Sequence, residues 1–242
     1  MHRFYSPSLS PHQKHFRLED PQEVNHLSRV LRLHSGDECE LINGCGALAR
    51  VRLITVAKQW VDVELVAYSQ SSPTGRSRIT LVCALPKKSV FDDIIEKCTE
   101  LGVDEIVPVI TERTEVAPSN DAAGRMNARF KSVVISASKQ CKRLWFPRIH
   151  PVIPLETAVE MLARDGKTLV IPWLGGERVF LHDALRGRPD GEYVFFIGPE
   201  GDFTSREADD LVNRGAIAVS LGDTVLRIET AAIAVVAYAR LA

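Results

Sequence analysis

The fold of this chain is decided by one stretch near its carboxyl end, Tyr193-Val194-Phe195-Phe196-Ile197-Gly198-Pro199-Glu200-Gly201-Asp202-Phe203. A short apolar run without alternation predicts a strand that is covered on both faces, as in a parallel sheet with crossover helices. The run ends in a glycine-bearing turn at the carboxyl end of the strand, where ligands of such sheets collect. We therefore expect an α/β domain with a ligand site at this turn.

A second glycine-bearing turn follows the next predicted strand, 217–221, and reads Gly222-Asp223-Thr224-Val225-Leu226-Arg227-Ile228-Glu229. Neither turn has the glycine spacing of a dinucleotide fingerprint or the Gly-Lys-Ser/Thr of a P-loop. Either turn alone is explained as an ordinary tight turn, but two such turns after neighbouring strands favour a shared site. Their glycines would let backbone groups approach a flat, polar ligand such as an adenine ring.

Two charged residues of the second turn have competing explanations. Arg227 lies in an otherwise apolar turn, so we expect it to need an anionic partner, either a carboxylate or a substrate phosphate. Glu229 begins a predicted helix, where the dipole favours a carboxylate for structural reasons alone. It is therefore explained as well by capping as by catalysis.

The rest of this region predicts strands that alternate with helices, the pattern of a mainly parallel sheet. The predicted strands are 79–85, 105–110, 169–173, 193–197 and 217–221. The predicted helices with simple bounds are 90–101, 121–142, 154–164 and 229–242, and Ser89 is expected to cap the first. A further helix is predicted between the capping box Thr204-Ser205-Arg206-Glu207, which starts it, and Gly215, which ends it. The terminal helix 229–242 is rich in Ala, Ile and Val, which predicts that it is buried on most sides. Part of this burial could come from an interface with a second copy of the chain.

The amino-terminal part predicts a small β-rich module. A short helix starts at Asp20-Pro21 and should carry Val24, Leu27, Val30 and Leu31 on one face. Strands are expected at 37–42, 47–56 and 60–66. The Ser-, Pro- and Gly-rich segment 69–75 reads as a linker, so we divide the chain into domains 1–71 and 74–242.

Composition sets further limits. The 242 residues carry a formal net charge of -1, which gives no global indication of nucleic-acid binding, and local basic clusters are explained in isolation as solvated faces. The five cysteines form no C-x-x-C, which argues against a disulfide framework or a metal site and for reduced thiols in the cytoplasm. Residues 1–6 contain no apolar signal region, and no stretch is long enough to span a bilayer, so we expect neither a signal peptide nor a membrane-spanning segment.

The motifs together resemble the bacterial 16S rRNA uracil-N3 methyltransferases of the SPOUT class. The matching segments are Gly198-Pro199-Glu200-Gly201, Leu221-Gly222, Leu226-Arg227-Ile228-Glu229-Thr230-Ala231, Lys97 with Thr99-Glu100-Leu101-Gly102-Val103, Glu112-Arg113-Thr114, and Gln140 with Arg143. The resemblance covers nearly the whole chain. This sequence departs from the family at Asp202, where a glycine is usual, at Thr224-Val225, which replaces Arg-Ile, and at Lys139 and Lys142, which replace Glu and Gly.

The resemblance implies a fold, a cofactor and a partner. The fold would be α/β, with a carboxyl-terminal SPOUT-type parallel sheet that contains a trefoil knot and an amino-terminal PUA-like small β-barrel. The chain would form a homodimer, bind S-adenosyl-L-methionine (SAM) and act on 16S rRNA of the small ribosomal subunit. The residues expected to bind SAM are Leu174, Ile197, Gly198, Pro199, Glu200, Gly201, Leu221, Gly222, Leu226, Thr230 and Ala231.

The same resemblance leads to hypotheses about catalysis and RNA binding. Arg227 would hold the charged uracil or a nearby phosphate, and Glu200 or Glu229 would orient or deprotonate N3. The residues expected to contact RNA are Arg29, Arg32, Arg52, Arg129, Lys139, Gln140, Lys142 and Arg143.

Two other functions stay open at this point. One is 2'-O-ribose methylation, since those relatives share Gly-x-Glu-Gly, although they carry Asn-Val-Ser where this chain has Glu229-Thr230-Ala231. The other is a non-enzymatic RNA-binding assembly factor, which SAM binding would distinguish.

Overall fold

The computed structural model describes residues 1–73, 77–86, 90–114, 119–163, 166–187 and 191–241. They cluster into two compact units, Met1–Thr74 with Ser138–Phe146, and Gly75–Ala137 with Pro147–Ala242. The first unit thus includes a segment from the middle of the chain besides the amino-terminal residues. The predicted helix cap Ser89 and part of the predicted linker lie outside the described residues.

The first unit is built on a five-stranded sheet. Its strands are β1 (Arg3–Tyr5), β2 (His15–Leu18), β3 (Glu38–Ile42), β4 (Ala47–Val56) and β5 (Val61–Gln70), in the order β1-β3-β4-β5-β2. The pair β1 and β3 is parallel, and the other pairs are antiparallel. Alternate residues of β4 point into the core, where Ala49, Val51 and Leu53 are buried. The curled sheet is the half-barrel that corresponds to the predicted PUA-like domain.

The short helix of this unit begins as predicted but continues differently. Asp20 caps α1 (Pro21–Asn25) by accepting hydrogen bonds from the backbone N–H groups of the second and third helical residues, at 2.9 and 3.0 Å. A π-helical turn follows at His26–Val30, in which His26 O accepts from Leu31 N at 2.9 Å. The wider turn moves Val30 off the apolar face, so it is 62% exposed and its predicted burial is wrong.

The second unit is an eight-stranded parallel sheet with helices. Its strands are β6 (Arg78–Ala84), β7 (Glu105–Ile110), β8 (Arg148–Ile149), β9 (Ile153–Pro154), β10 (Lys167–Pro172), β11 (Val179–Phe180), β12 (Glu192–Ile197) and β13 (Ile217–Ser220). Its helices are α2 (Val90–Leu101), α3 (Asn120–Gln140), α4 (Leu155–Leu162), α5 (Leu181–Leu185), α6 (Ser205–Asn213) and α7 (Ile228–Leu241); the last three residues of α3 belong to the first unit.

The sheet order is β11-β13-β10-β12-β6-β7-β8, with β9 also paired to β7. The predicted α/β class and the five longer strands are confirmed. The three strands that sequence patterning missed have two residues each, too few to show a period. The central strand β12 is buried on both faces, as its unbroken apolar run predicted, with Val194, Phe195 and Phe196 at most 1% exposed.

The two helices next to strand β13 are α6, which precedes it, and α7, which follows it, and α6 begins at the predicted capping box. Thr204 Oγ1 accepts from Glu207 N at 3.2 Å, and Glu207 Oε2 accepts from Thr204 N at 2.8 Å, which is a capping box. Helix α7 buries Ala232, Val235 and Val236 within its own unit. In the part of the chain that the structure describes, no helix combines the length and apolar character that crossing a membrane requires.

Candidate functional site

The candidate site lies at the carboxyl ends of three adjacent strands. Strand β10 pairs with β12 on one side and with β13 on the other. The two glycine-bearing turns therefore follow strands that are separated by β10, and the prediction that those strands are neighbours is wrong. A parallel crossover can skip a strand, so consecutive strands of the chain need not be adjacent. The loop after β10 lies between the two turns and completes the site.

These loops enclose a cavity of about 520 Å³, a size typical of small-molecule sites. Its walls are mainly apolar, and backbone groups of the three loops reach its edge. The lining residues are Val90, Pro172, Trp173, Leu174, Arg178, Ile197, Gly198, Pro199, Glu200, Asp202, Val219, Ser220, Leu221, Gly222, Thr224, Val225, Leu226, Arg227, Ile228, Glu229 and Ala231.

The loop after β12 is a tight turn. Pro199 O accepts from Asp202 N at 2.9 Å, which closes a β-turn, and Asp202 has a φ of +61°. A Cβ atom on Gly198 would lie 3.1 Å from Asp202 Oδ1 and from Phe203 N. A side chain at residue 198 would therefore make tight contacts that the turn could accommodate only by shifting a few tenths of an ångström.

The loop after β13 presents two charged side chains at the start of α7. Gly222 has a φ of +127°, and its carbonyl accepts from Ser220 Oγ at 3.1 Å. Arg227 O accepts from Ala231 N at 2.9 Å, so Arg227 precedes the first helical turn, and Glu229 lies within that turn. Among the described residues, none pairs with the exposed Arg227 guanidinium, which leaves this cation available to a ligand.

The structure brings together most residues that were predicted to bind the cofactor or to act in catalysis. All three catalytic candidates, Arg227, Glu200 and Glu229, line the cavity. Of the predicted cofactor-binding residues, two are not in its lining. Gly201 lies on the outer side of the turn, where its carbonyl accepts from Arg113 Nη1, and Thr230 is exposed on α7.

Sequence reasoning missed several lining residues, of which Arg178 and Trp173 are the most informative. Arg178 Nη1 donates to Trp173 O at 3.1 Å, so a second guanidinium lies at the cavity. Both residues flank the Leu174-Gly175-Gly176 turn after β10. The glycine pair was the available signal, because a turn at the end of a parallel strand marks the edge of the sheet where ligands bind.

Two cysteines lie in the strand and helix next to the site, and both are buried. Burial, then the proximity of Cys98, then that of Glu200, raises the pKa of Cys83 well above its ordinary value. Burial also raises the pKa of Cys98 to about 12. Both thiols are therefore protonated at neutral pH, which makes them poor nucleophiles.

The predicted RNA-binding residues of the first unit have different environments. Arg29 and Arg32 are exposed, and the described residues provide no ion pair to either. Arg52 Nη2 lies 3.0 Å from Glu38 Oε1, and Lys139 Nζ lies 2.6 Å from Glu23 Oε1. Gln140 is the last residue of α3, and Lys142 and Arg143 follow it. Gln140 and Lys142 are exposed, whereas Arg143 Nε donates to Trp145 O at 2.5 Å.

The remaining predicted RNA-binding residue, Arg129, belongs to the second unit. Its Nε donates to Asp92 Oδ2 at 2.7 Å, so a carboxylate already neutralises much of its charge. Arg29 and Arg32 are thus the predicted arginines whose side chains carry charge without a described partner.

Comparisons with known proteins agree with this architecture. A family model described as an RNA methyltransferase domain matches residues 73–240, and one described as an RNA methyltransferase PUA domain matches residues 18–66. The fold and the site thus define an RNA methyltransferase with a PUA domain. Ribosomal RNA small subunit methyltransferase E of Synechocystis sp. is 32% identical in an alignment of 218 residues that covers 86% of this chain and 67% of the relative.

Solved structures give the same result. A ribosomal RNA small subunit methyltransferase E from Neisseria gonorrhoeae, bound to S-adenosyl methionine, is 31% identical with a TM-score of 0.89 over 98% of this chain and 96% of that chain. A Legionella pneumophila methyltransferase in complex with SAM is 26% identical with a TM-score of 0.88 over 99% of this chain and 96% of that chain. This chain belongs to the ribosomal RNA small subunit methyltransferase E family.

Proposed function

We propose that this protein transfers a methyl group from SAM to N3 of a specific uridine in 16S rRNA of the small ribosomal subunit. The observation that carries the proposal is one cavity of about 520 Å³ that joins the loops after β10, β12 and β13 and is lined by Arg227, whose guanidinium pairs with none of the described residues. Two structurally similar relatives that were solved with SAM support the cofactor, and the relatives named ribosomal RNA small subunit methyltransferase E support the class of RNA.

The cavity has the properties that SAM requires. Its apolar walls, including Leu174, Ile197 and Leu226, suit an adenine ring, and the glycines of the two turns expose backbone donors and acceptors to polar edges. When bound, SAM supplies a methyl group that is activated by a positively charged sulfur. We propose that the loops 197–201 and 221–226 hold the cofactor through backbone groups, with Ala231 providing space at the start of α7.

Reaction at uracil N3 places three demands on the protein. N3 lies on the pairing edge of the base, so the uridine must be unpaired or flipped into the site. A base must remove the N3 proton, and we propose Glu229 or Glu200 for this role; the third carboxylate of the lining, Asp202, already accepts hydrogen bonds from the backbone N–H groups of Leu174 and Phe203. Negative charge then spreads onto O2 and O4, where the Arg227 guanidinium would stabilise it.

RNA binding would use both units. We propose phosphate contacts from Arg29, Arg32, Arg52, Lys139, Gln140, Lys142 and Arg143 of the first unit and, separately, from Arg129 of the second. Arg29 and Arg32 are exposed and pair with no residue that the structure describes, so they are the best placed of these to release counterions from RNA.

A homodimer is part of the proposal. Helix α7 buries one face in its own unit, but Tyr238 and Leu241 are 37% and 79% exposed. A second copy that covers this apolar face would explain its composition. Sedimentation equilibrium would measure the mass, and a monomer at micromolar concentration would contradict the dimer.

The domain division 1–71 and 74–242, the trefoil knot and a cytoplasmic location complete the proposal. The match of the PUA model to residues 18–66 and of the methyltransferase model to 73–240 supports the division. The knot follows from the resemblance to the SPOUT class, and a chain trace through the loops of a SAM-bound crystal would test it. The cytoplasmic location follows from a substrate that is part of the small ribosomal subunit.

The decisive test is to incubate the purified protein with SAM and small subunits from cells that lack this activity. Nucleoside mass spectrometry of the digested 16S rRNA should then detect 3-methyluridine. A 2'-O-methylated nucleoside would show ribose chemistry instead. Failure to modify the subunits, although they are modified by a known family member in parallel, would overturn the proposal.

A further inference from the structure

The carboxylate of Asp202 joins two loops of the cavity. Its Oδ2 accepts a hydrogen bond from Leu174 N at 3.1 Å, and its Oδ1 accepts from Phe203 N at 2.8 Å. Leu174 follows β10, whereas Asp202 ends the turn after β12. The Asp202 side chain therefore connects two walls of the cavity. Both Leu174 and Asp202 are part of the cavity lining.

The backbone at Asp202 is in a conformation that disfavours a side chain. Its φ of +61° is left-handed, which suits glycine and is costly for other residues, although aspartate tolerates it better than most. The resemblance also places a glycine at this position. A strained residue persists where its surroundings fix it, and here the fixing contacts are the two hydrogen bonds of the Asp202 carboxylate.

The opposite side of the same turn is held independently. Arg113 Nη1 donates to Gly201 O and to Phe203 O, the latter at 3.3 Å. Arg113 follows β7, on the other side of β12 from β10 in the order of the sheet. The turn is thus fixed from the β7 side by an arginine and from the β10 side by the Asp202 carboxylate.

We propose that Asp202 is a positioning residue that holds the loop after β10 against the turn after β12, so that the cavity has its binding shape before SAM enters. The inference rests on the proposed function, because it concerns how the same cavity takes its ligand. A pre-organised cavity spends less of the binding free energy on ordering its loops, so affinity depends on the bridge. The Leu174 N–H also loses its acceptor when the carboxylate is removed.

The test compares Asp202→Gly, Asp202→Ala and Asp202→Asn by calorimetric titration with SAM. Asp202→Gly relieves the backbone strain, so it should melt at a temperature no lower than that of the wild type and above that of Asp202→Ala. Both variants should nevertheless bind SAM roughly 10-fold more weakly, as expected for a lost charge-assisted hydrogen bond. Asp202→Asn keeps one acceptor oxygen for two donors, the N–H groups of Leu174 and Phe203. Its affinity for SAM should lie between that of the wild type and that of Asp202→Ala.

A second readout follows the bridge without ligand. Hydrogen exchange of the Leu174 amide should be slow in the wild type and faster in Asp202→Gly and Asp202→Ala. The control is Asp210→Asn, which removes a carboxylate that pairs with Arg214 at 3.0 Å on α6, and it should leave SAM affinity and Leu174 exchange unchanged.

Wild-type SAM affinity in Asp202→Gly, together with unchanged exchange at Leu174, would overturn the inference. If the wild type does not bind SAM at all but Leu174 exchange still depends on Asp202, the bridge exists and the proposed function fails. The two failures are therefore distinguishable.

Discussion

Lys139 Nζ lies 2.6 Å from Glu23 Oε1, and the two side chains are only 18% and 7% exposed. The other carboxylate oxygen, Glu23 Oε2, is buried and has no hydrogen-bond partner among the described residues. The lysine therefore compensates a carboxylate that would otherwise be buried and charged. The family usually has a glutamate where this chain has Lys139. The ion pair with Glu23 gives Lys139 a structural role inside the first unit.

Replacing Lys139 by Met should destabilise the protein by about 3 kcal/mol, because the Glu23 carboxylate would remain buried without its counter-ion. Urea unfolding measures the change. The double variant Lys139→Met with Glu23→Leu should recover most of the loss, since an apolar pair can replace a buried ion pair. Equal stability of Lys139→Met and wild type would show that the pair is not formed in solution.

Acid should destabilise the second unit through Glu105. The hydrogen bond from His150 and then that from Arg78 lower the pKa of Glu105 from 4.5 to about 2, against the opposing effect of burial. A carboxyl whose pKa is depressed by folding stabilises the protein above its unfolded pKa and loses this contribution as the pH falls. We expect a loss of roughly 2 kcal/mol between about pH 5 and 2, after allowing for solvent screening of Arg78.

The measurement is unfolding free energy against pH for the wild type and Glu105→Gln. The variant should be less stable at pH 7 and should show a flatter profile below about pH 5. Glu96→Gln is the matched control, because Glu96 pairs with Lys97 on the surface, and its profile should follow that of the wild type. Parallel profiles for wild type and Glu105→Gln would assign the acid sensitivity to other carboxylates.

Removing the Arg227 guanidinium should affect the reaction more than the cofactor. Arg227→Ala is expected to lower the rate of methyl transfer to undermethylated small subunits by about 100-fold or more, the size of effect seen when one donor to a developing oxyanion is lost. SAM affinity and melting temperature should stay close to wild type. Arg206→Ala, on the exposed face of α6, serves as the control. Near wild-type turnover in Arg227→Ala would exclude this residue from the site.

RNA binding should distinguish unpaired from paired arginines. Replacing Arg29 and Arg32 by Gln should weaken binding at each salt concentration and reduce the salt dependence by about one unit of slope per residue. Residue 32 has a φ of +53°, and Arg32→Gln keeps a long side chain on this backbone, so the variant changes the charge and leaves the backbone conformation comparable. Arg52→Gln should have a smaller effect, because Glu38 already offsets its charge. Slopes that are identical in all variants would contradict this RNA surface.

Much of the fold follows from local patterns in the sequence. The unbroken apolar run 193–197 predicted a strand that is buried on both faces, and Phe195 and Phe196 are fully buried. The caps at Asp20 and Thr204 were also read correctly, because a cap depends on residues within one helical turn.

Features that depend on distant residues were predicted less well. The position of β10 between β12 and β13 is a tertiary property, since hydrophobic patterning does not specify which parallel strands are adjacent. The same holds for the Asp202 bridge to Leu174, which joins two loops that are 28 residues apart in the chain. The π-helical turn that exposes Val30 was missed because a helical pattern assumes an unbroken α-helix.

The most direct test of the central claim is hydrogen exchange of the wild-type protein with and without saturating SAM. We expect slower exchange in the loops at Leu174, 198–202 and 220–226, which border the cavity, and little change in the first unit. The absence of any protection by SAM, or protection that spares these three loops, would contradict it.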